Sequence, residues 1–248
     1  MNESLSGRTA LVTGGARRVG AAIARRLHAA GTNVLLHYRD SESDAAKLEA
    51  ELNAVRAKSA ARVKAELLAP IAPRALVSAA VQSFGRLDLV VNNASSFFPV
   101  AIGAIEASHW EELVGSNLRA PLFLSQEAAP HLAKAQGAIV NIVDIHAERP
   151  LKGYPVYSVA KAGLAALTRS LAIELAPAVR VNGVAPGAIA WPEDGQFPEQ
   201  ERQRIIVSTP LARTGTPEDI AGAVHFLACA PFVTGQILAV DGGRSIYL

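Results

Sequence analysis

The chain has 248 residues, half of them apolar, with 24 Lys and Arg against 22 Asp and Glu. That length suits one α/β domain with a large core and is short for two. A formal charge of +2 excludes nucleic-acid binding through a broad basic surface. No apolar run reaches the roughly 18 residues of a membrane helix, and "MNESLSGRTALV" lacks the basic-then-apolar order of a signal peptide. The single Cys229 cannot close an internal disulfide, and its setting in "FLACA" reads as a small core residue. These features predict a soluble cytoplasmic protein without a metal site.

In chain order, short Leu-rich or β-branched runs recur: "TALVTG", "NVLLHY", "ARVKAE", "LDLVVNNA", "GAIVNIVD", "VRVNGVAPG" and "QILAVDGG". Helical patterns lie between most of them, such as "AAIARRLHAAG" and "DAAKLEAELNAV". Gly31 and Gly85 follow helical stretches, as left-handed caps do. "GTPEDIAGAVHFLA" opens with Thr216 as an N-cap, then Pro217 and two acids. The alternation predicts one α/β domain over residues 1–248, a Rossmann-type, doubly wound, seven-stranded parallel sheet with helices on both faces. No Pro/Ser-rich linker divides it. The stretch from Pro186 to about Pro198 is irregular, and its Trp, Phe, prolines and acids suit a substrate-covering loop at about 188–205.

Between the first strand and the first helix stands "TGGARRVG", with Gly14 and Gly20 at its ends and Arg17 and Arg18 inside. Backbone N–H groups and a helix N-terminus in such a loop receive a pyrophosphate. An acid usually follows on the second strand when the cofactor is NAD. Here His37, Tyr38 and Arg39 precede the first acid, Asp40. With Arg17 they suggest charge-assisted recognition of a 2′-phosphate, hence NADP.

The second constellation is "YSVAK". Tyr157 and Lys161 lie four apart and share a helix face. A nearby cation favours the phenolate, which would suit Tyr157 to proton transfer near neutral pH. "NNA" at Asn92–Ala94, Asn117 in "GSNLRA" and "PG" at Pro186–Gly187 all fall at or near carboxyl ends of strands, where doubly wound folds bind ligands.

With these motifs the chain resembles the short-chain dehydrogenase/reductase family over essentially its whole length. The resemblance implies hydride transfer with a nicotinamide cofactor. It assigns Tyr157 as proton donor, Lys161 to the nicotinamide ribose and the tuning of Tyr157, and Asn117 to a water relay at a helix kink. Two positions depart from the family pattern: Arg18 stands for a usual Gly, and Asp144, thirteen residues before Tyr157, for a usual Ser. An ionised carboxylate only accepts hydrogen bonds and repels a developing alkoxide. Asp144 therefore disfavours ordinary ketone reduction and suits a substrate rich in N–H groups with a C=N bond. Burial that kept it protonated would make it a proton source.

Arg18, Asp144 and "NNASSF" at Asn92–Phe97 together resemble the pteridine reductase branch, as does "RPLKGYPVYSVAKAGL". The branch implies an NADPH-dependent reduction of a pterin or dihydropterin C=N bond, with dihydrofolate as a further substrate. It assigns Phe97 to stacking on the pterin opposite the nicotinamide. Arg18 would reach both cofactor phosphate and pterin, and Ser95, Asp144, Tyr154, Tyr157 and Trp191 would line the substrate pocket. Trp191 takes the wall because "PGAIAWPED" lacks the family's Thr or Ser after "PG". The cofactor would also meet Gly14, Arg17, Val19 and Gly20 of the loop, then His37, Tyr38, Arg39 and Ser41. Glu66, where the family has Asp, and Leu67 would lie near the adenine. Asn93, Ala94, Ser95, Tyr157, Lys161, Pro186 and Gly187 would lie toward the nicotinamide. His146 stands either at the substrate or in a solvated loop. The family pairs the helices "HWEELVGSNLRAPLFLSQEAAPHL" and "YSVAKAGLAALTRSLAIELA" between subunits, which implies a homotetramer. Two other functions fit the same residues: reduction of another carbonyl or quinone, and cofactor binding by a redox sensor with little turnover.

Overall fold

The structure is a computed structural model that describes residues 5–189, 191 and 197–247. Seven parallel strands form its core: β1 (Thr9–Val12), β2 (Asn33–Tyr38), β3 (Ala60–Lys64), β4 (Leu89–Asn92), β5 (Ala138–Ile142), β6 (Arg180–Pro186) and β7 (Ile237–Val240). They are ordered β3-β2-β1-β4-β5-β6-β7. Six of the seven runs singled out above contain one of these strands whole, and "ARVKAE" misses only the first residue of β3, Ala60.

Strand alternation divides the core. Ala10, Val12, Val34, Leu36, Val91 and Val140 turn to one face, where α1 (Arg18–Ala29) and α8 (Pro217–Cys229) cover them. Leu11, Leu35, Val90, Ile139 and Val181 turn to the other, under α3 (Ala72–Phe84) and α5 (Ala120–Ala135). This period of two, with apolar residues on both faces, is what a fully covered parallel sheet demands. Each fully buried Val or Leu contributes about 1.5–3 kcal/mol. The remaining helices are α2 (Glu42–Val55), α4 (Ala107–Val114), α6 (Pro155–Glu174), α7 (Glu199–Val207) and the short α9 (Arg244–Tyr247).

Local signals act as the sequence implies. Gly31 and Gly85 have φ of +93° and +78°. Thr216 and Asp219 form a reciprocal capping box at α8. The run from His109 to Leu132 is interrupted at Asn117, where the resemblance implies a helix kink. A π-helical turn, Gly115–Arg119, joins α4 to α5, and Pro121 lies in the first turn of α5.

The strand order reverses between β1 and β4, so the loops leaving these strands meet there. Thr13 ties them: its Oγ1 accepts from the backbone N–H of Asn93 at 2.9 Å and of Ala94 at 3.0 Å. Deeper in the sheet a buried ladder fixes α6. Asn92 donates to Asn141 (2.8 Å), Asn141 to Thr168 (2.9 Å), and Thr168 to the carbonyl of Leu164 (2.8 Å). Each buried polar atom there finds a partner, so α6 is held in one register against β5.

Candidate active site

One cleft of about 540 Å³ runs along the carboxyl ends of the strands. Gly14, Arg17, Arg18, Val19 and Gly20 line it after β1, and His37, Tyr38, Arg39 and Ser41 after β2. Glu66 and Leu67 follow β3, and Asn93, Ala94, Ser95 and Phe97 follow β4. Asp144 and His146 follow β5, Tyr157 and Lys161 enter from α6, and Pro186, Gly187 and Trp191 follow β6.

The glycine loop is locked from two sides. A Cβ on Gly20 would lie 2.1 Å from the carbonyl oxygen of Gly14, so no larger residue fits at that helix start. Asn93 donates its side-chain amide to the carbonyls of Thr13 and Gly14. From β2, His37 accepts the N–H of Gly14 on Nδ1 at 3.1 Å, and its Nε2 lies 3.1 Å from the carbonyl of Ala65. Nδ1 must then be bare and Nε2 protonated, which is the neutral imidazole. Burial also pushes the His37 pKa down. The expectation that His37 adds a cation for the 2′-phosphate is corrected: β2 is buried on both faces, and within it His37 is held between Gly14 and Ala65, where it clamps the loop.

The cations that do face the cleft are arginines. Arg17 lies 3.6 Å from Asp44. Arg39 donates to Asp40 at 2.9 Å and to Glu112 at 3.3 Å. Ser41 begins α2 without a side-chain capping bond, so its hydroxyl is not committed to the helix. Arg18 has a φ of +48°, a conformation that explains why glycine is usual there. Glu66 accepts from the N–H of Leu68 at 3.2 Å and so shapes its own turn.

At the other end Tyr157 donates to Asp144 Oδ2 at 2.7 Å. Asp144 Oδ1 accepts from the N–H of His146 at 2.8 Å, which fixes the carboxylate plane. Lys161 is buried, donates to the carbonyl of Ile142 at 2.8 Å and stands 5.7 Å from the Tyr157 ring centre. Burial first, then the Asp144 charge and hydrogen bond, raise the Tyr157 pKa well above its usual value. This corrects the expectation of a ready phenolate: burial, with the Asp144 charge and hydrogen bond, holds Tyr157 as the protonated phenol. Burial lowers the Lys161 pKa to about 8, against the opposing pull of Asp144.

Two other assigned residues stand behind the cleft. Asn117 does not line it. It sits in the π-helical turn, accepts from Ser95 Oγ at 2.7 Å and donates to the carbonyls of Ser96 and Leu113, both at 2.9 Å. Its side chain thus ties the helix kink to the loop after β4. Ser95 lines the cleft with its hydroxyl turned to that amide. Tyr154 is also off the cleft surface. It stacks on Phe97 at 4.6 Å and 12°, supporting the ring from behind.

Phe97 meets Tyr157 edge-on at 4.8 Å. Its other parallel neighbour, 6.4 Å away at 8°, is Phe197, the phenylalanine of the expected substrate loop. Trp191 contacts Phe197 at 5.6 Å and carries the Arg202 guanidinium over its ring at 5.6 Å. The expected substrate loop therefore contributes Trp191 and Phe197 to the wall; residue 190 and residues 192–196 lie outside the described set. His146 is fixed by a 2.7 Å bond from Nδ1 to the carbonyl of Arg149, which leaves Nε2 as the acceptor of the neutral ring.

The locked glycine loop, the guanidinium groups and the length of the cleft fit a dinucleotide. No cluster of His, Cys, Asp and Glu suited to a metal occurs among the described residues, and no described helix is long and apolar enough to cross a membrane.

The family model described as enoyl-(acyl carrier protein) reductase matches residues 14–245. Pteridine reductase 1 of Leishmania tarentolae is 39% identical, with 99% of each chain covered. A 3beta-hydroxysteroid dehydrogenase of Eggerthella lenta is 35% identical, covering 100% of this chain and 97% of its own. A 3-oxoacyl-[acyl-carrier-protein] reductase of Staphylococcus aureus is 33% identical over 95% of this chain and 97% of its own. Their names point to unlike substrates, so full-length likeness alone does not choose among them. It does fix the class: the chain belongs to the short-chain dehydrogenase/reductase family and is a nicotinamide-dependent oxidoreductase.

Proposed function

We propose that the protein is an NADPH-dependent pteridine reductase, which reduces a C=N bond of a pterin or dihydropterin. The observation that carries this reading is the hydrogen bond from Tyr157 to Asp144. A carboxylate beside the proton donor offers acceptors only. A ketone, which offers only lone pairs, has nothing to give it. A pterin has amino and ring N–H groups. One of these replaces the phenol as donor to Asp144, and the Tyr157 proton is then turned toward the substrate nitrogen.

The bound nicotinamide supplies the hydride. Tyr157 gives the proton to the adjacent nitrogen, and the Lys161 ammonium stabilises the phenolate left behind. Phe97, backed by Tyr154, presents a flat apolar face to the heterocycle, and Trp191 and Phe197 close the site against water. Arg18 pairs with the pyrophosphate and with the polar edge of the pterin, as a guanidinium fork can and a glycine cannot. Arg17, Arg39 and Ser41 hold the 2′-phosphate at the start of α2.

Exposed apolar side chains on α4, α5 and α6, among them Trp110, Phe123, Val159 and Ile173, support assembly as a homotetramer. The activity test is oxidation of NADPH with dihydrobiopterin. Turnover supports the reading; turnover of simple ketones alone, or of neither, overturns it.

A further inference from the structure

A fourth arginine lines the same cleft, and the proposed chemistry leaves it unused. Arg244 follows β7, beside Trp191, Phe197 and Ile205. Its Nη1 donates to the Ser208 hydroxyl at 2.7 Å and to the carbonyl of Ile205 at 3.3 Å, at the C-terminal end of α7. These bonds anchor one nitrogen. Among the described residues Nε and Nη2 have no partner, and Arg244 has no ion pair. The nearest acid in sequence, Asp241, spends its two oxygens on the N–H groups of Gly243 (2.9 Å) and Ser245 (2.7 Å). The result is a guanidinium held at one corner, half-buried, with its second edge open. Burial depresses its pKa, against the opposing pull of the Asp241 charge.

Sheet order says which ligand this edge meets. β7 lies four strands from β1, about 19 Å at the usual strand spacing. The pyrophosphate and the 2′-phosphate belong to β1 and β2, so they are out of reach. β7 lies two strands from β5, about 10 Å away. Register places Ile142 opposite Val184, and Pro186 opposite Val240. Asp144, two residues past Ile142, thus stands nearly level with the end of β7, on the same rim as Arg244. An anion on the substrate side, one spacer away from the reacting ring, fits both distances.

We propose that Arg244 binds a carboxylate carried by the substrate, about 10 Å from the ring that is reduced. The guanidinium edge offers two parallel N–H donors, the geometry a carboxylate accepts. The site thereby favours pterins with an acidic tail over those with a short neutral side chain. The proposal rests on the pteridine reductase reading for the identity of the ring.

The test compares kcat/KM for dihydrofolate, which has the acidic tail, with that for dihydrobiopterin, which lacks it. In Arg244→Ala the ratio of the two should fall about tenfold or more. Arg244→Lys should recover part of it, since an ammonium keeps the charge and loses the fork. If Arg244 only caps α7, both substrates suffer together and the ratio stays as in the wild type, which overturns the proposal. If the wild type reduces neither compound, the pterin reading falls. The carboxylate site is then tested by calorimetric titration of p-aminobenzoylglutamate, which has spacer and carboxylates without the ring. Binding that Arg244→Ala loses supports the site. Equal binding in both proteins, or none in either, overturns it.

Discussion

Tyr157 gives its hydrogen bond to Asp144, 2.7 Å away and thirteen residues earlier in the chain. The pair sets both the resting position of the proton and the kind of substrate that can release it. Asp144→Ala should lower pterin turnover by roughly 10²-fold or more, the scale of general acid–base catalysis. Cofactor binding should survive, as measured by fluorescence titration. Asp144→Ser should gain activity on simple ketones. Full pterin turnover in Asp144→Ala would show that Tyr157 works without its partner.

The buried ammonium predicts a pH limb. Lys161 has its pKa lowered to about 8 by burial, while that of Tyr157 is raised well above its ordinary value. If the charged Lys161 supports proton transfer, kcat/KM falls as pH rises through about 8, with Tyr157 still protonated. Asp144 attracts the ammonium, so Asp144→Asn should move the limb of the residual activity to lower pH. The sign for stability is opposite. The unfolded chain, with an ordinary lysine, binds more protons between about 8 and 10.5, so this group's contribution rises across that window and is lost as pH falls through about 8. Activity that is flat from pH 7 to 9 would remove Lys161 from the proton-transfer step.

Cofactor choice depends on the contest around Arg39. Its guanidinium already meets Asp40 and Glu112, two exposed or half-exposed acids whose pull is modest in water. A 2′-phosphate, with more charge and three acceptor oxygens, should displace them. Arg39→Ala should lose NADPH affinity far more than NADH affinity, and Asp40→Ala should sharpen the preference for NADPH. Parity of kcat/KM between the two cofactors in the wild type would refute the assignment.

For the pterin, Phe97→Ala should weaken binding about tenfold, near 1.4 kcal/mol, and leave NADPH binding nearly unchanged. Arg18→Ala should weaken both ligands, because one guanidinium serves both. Sequential titration with NADPH and then pterin reads this asymmetry. Normal pterin binding by Phe97→Ala would remove the stacking partner from the site.

Assembly follows from the apolar side chains left in water on α4, α5 and α6. Light scattering at micromolar concentration should give four times the 26.0 kDa chain mass. A stable monomer would contradict the homotetramer.

Strands, glycine loop and Asp144 were legible in the sequence because each rests on local rules: alternation, a close backbone approach, a fixed spacing to Tyr157. What escaped depends on tertiary neighbours. "HYR" reads as a basic run, yet His37 lies inside β2 and is buried, while Arg39 lies past the end of the strand and is exposed. Tyr154 and Phe97 lie 57 residues apart, so nothing local says that one ring backs the other. Asn117 was placed mid-helix, but only the π-helical turn reveals that its amide faces the loop after β4. Arg244 belongs to no motif, and nothing local says that Phe197 of the expected loop faces Phe97; proximity across the cleft gives both their meaning.

Arg18 holds a left-handed backbone at a cost of roughly 1–2 kcal/mol for a residue with a side chain. Glycine would relieve that strain, so Arg18→Gly should fold more stably and bind less well. Backbone strain therefore favours glycine at this position, against the ligand contact proposed for the guanidinium. Position 18 should thus serve as a gauge of use: in descendants of this chain that no longer need the proposed activity, arginine is expected to drift to glycine.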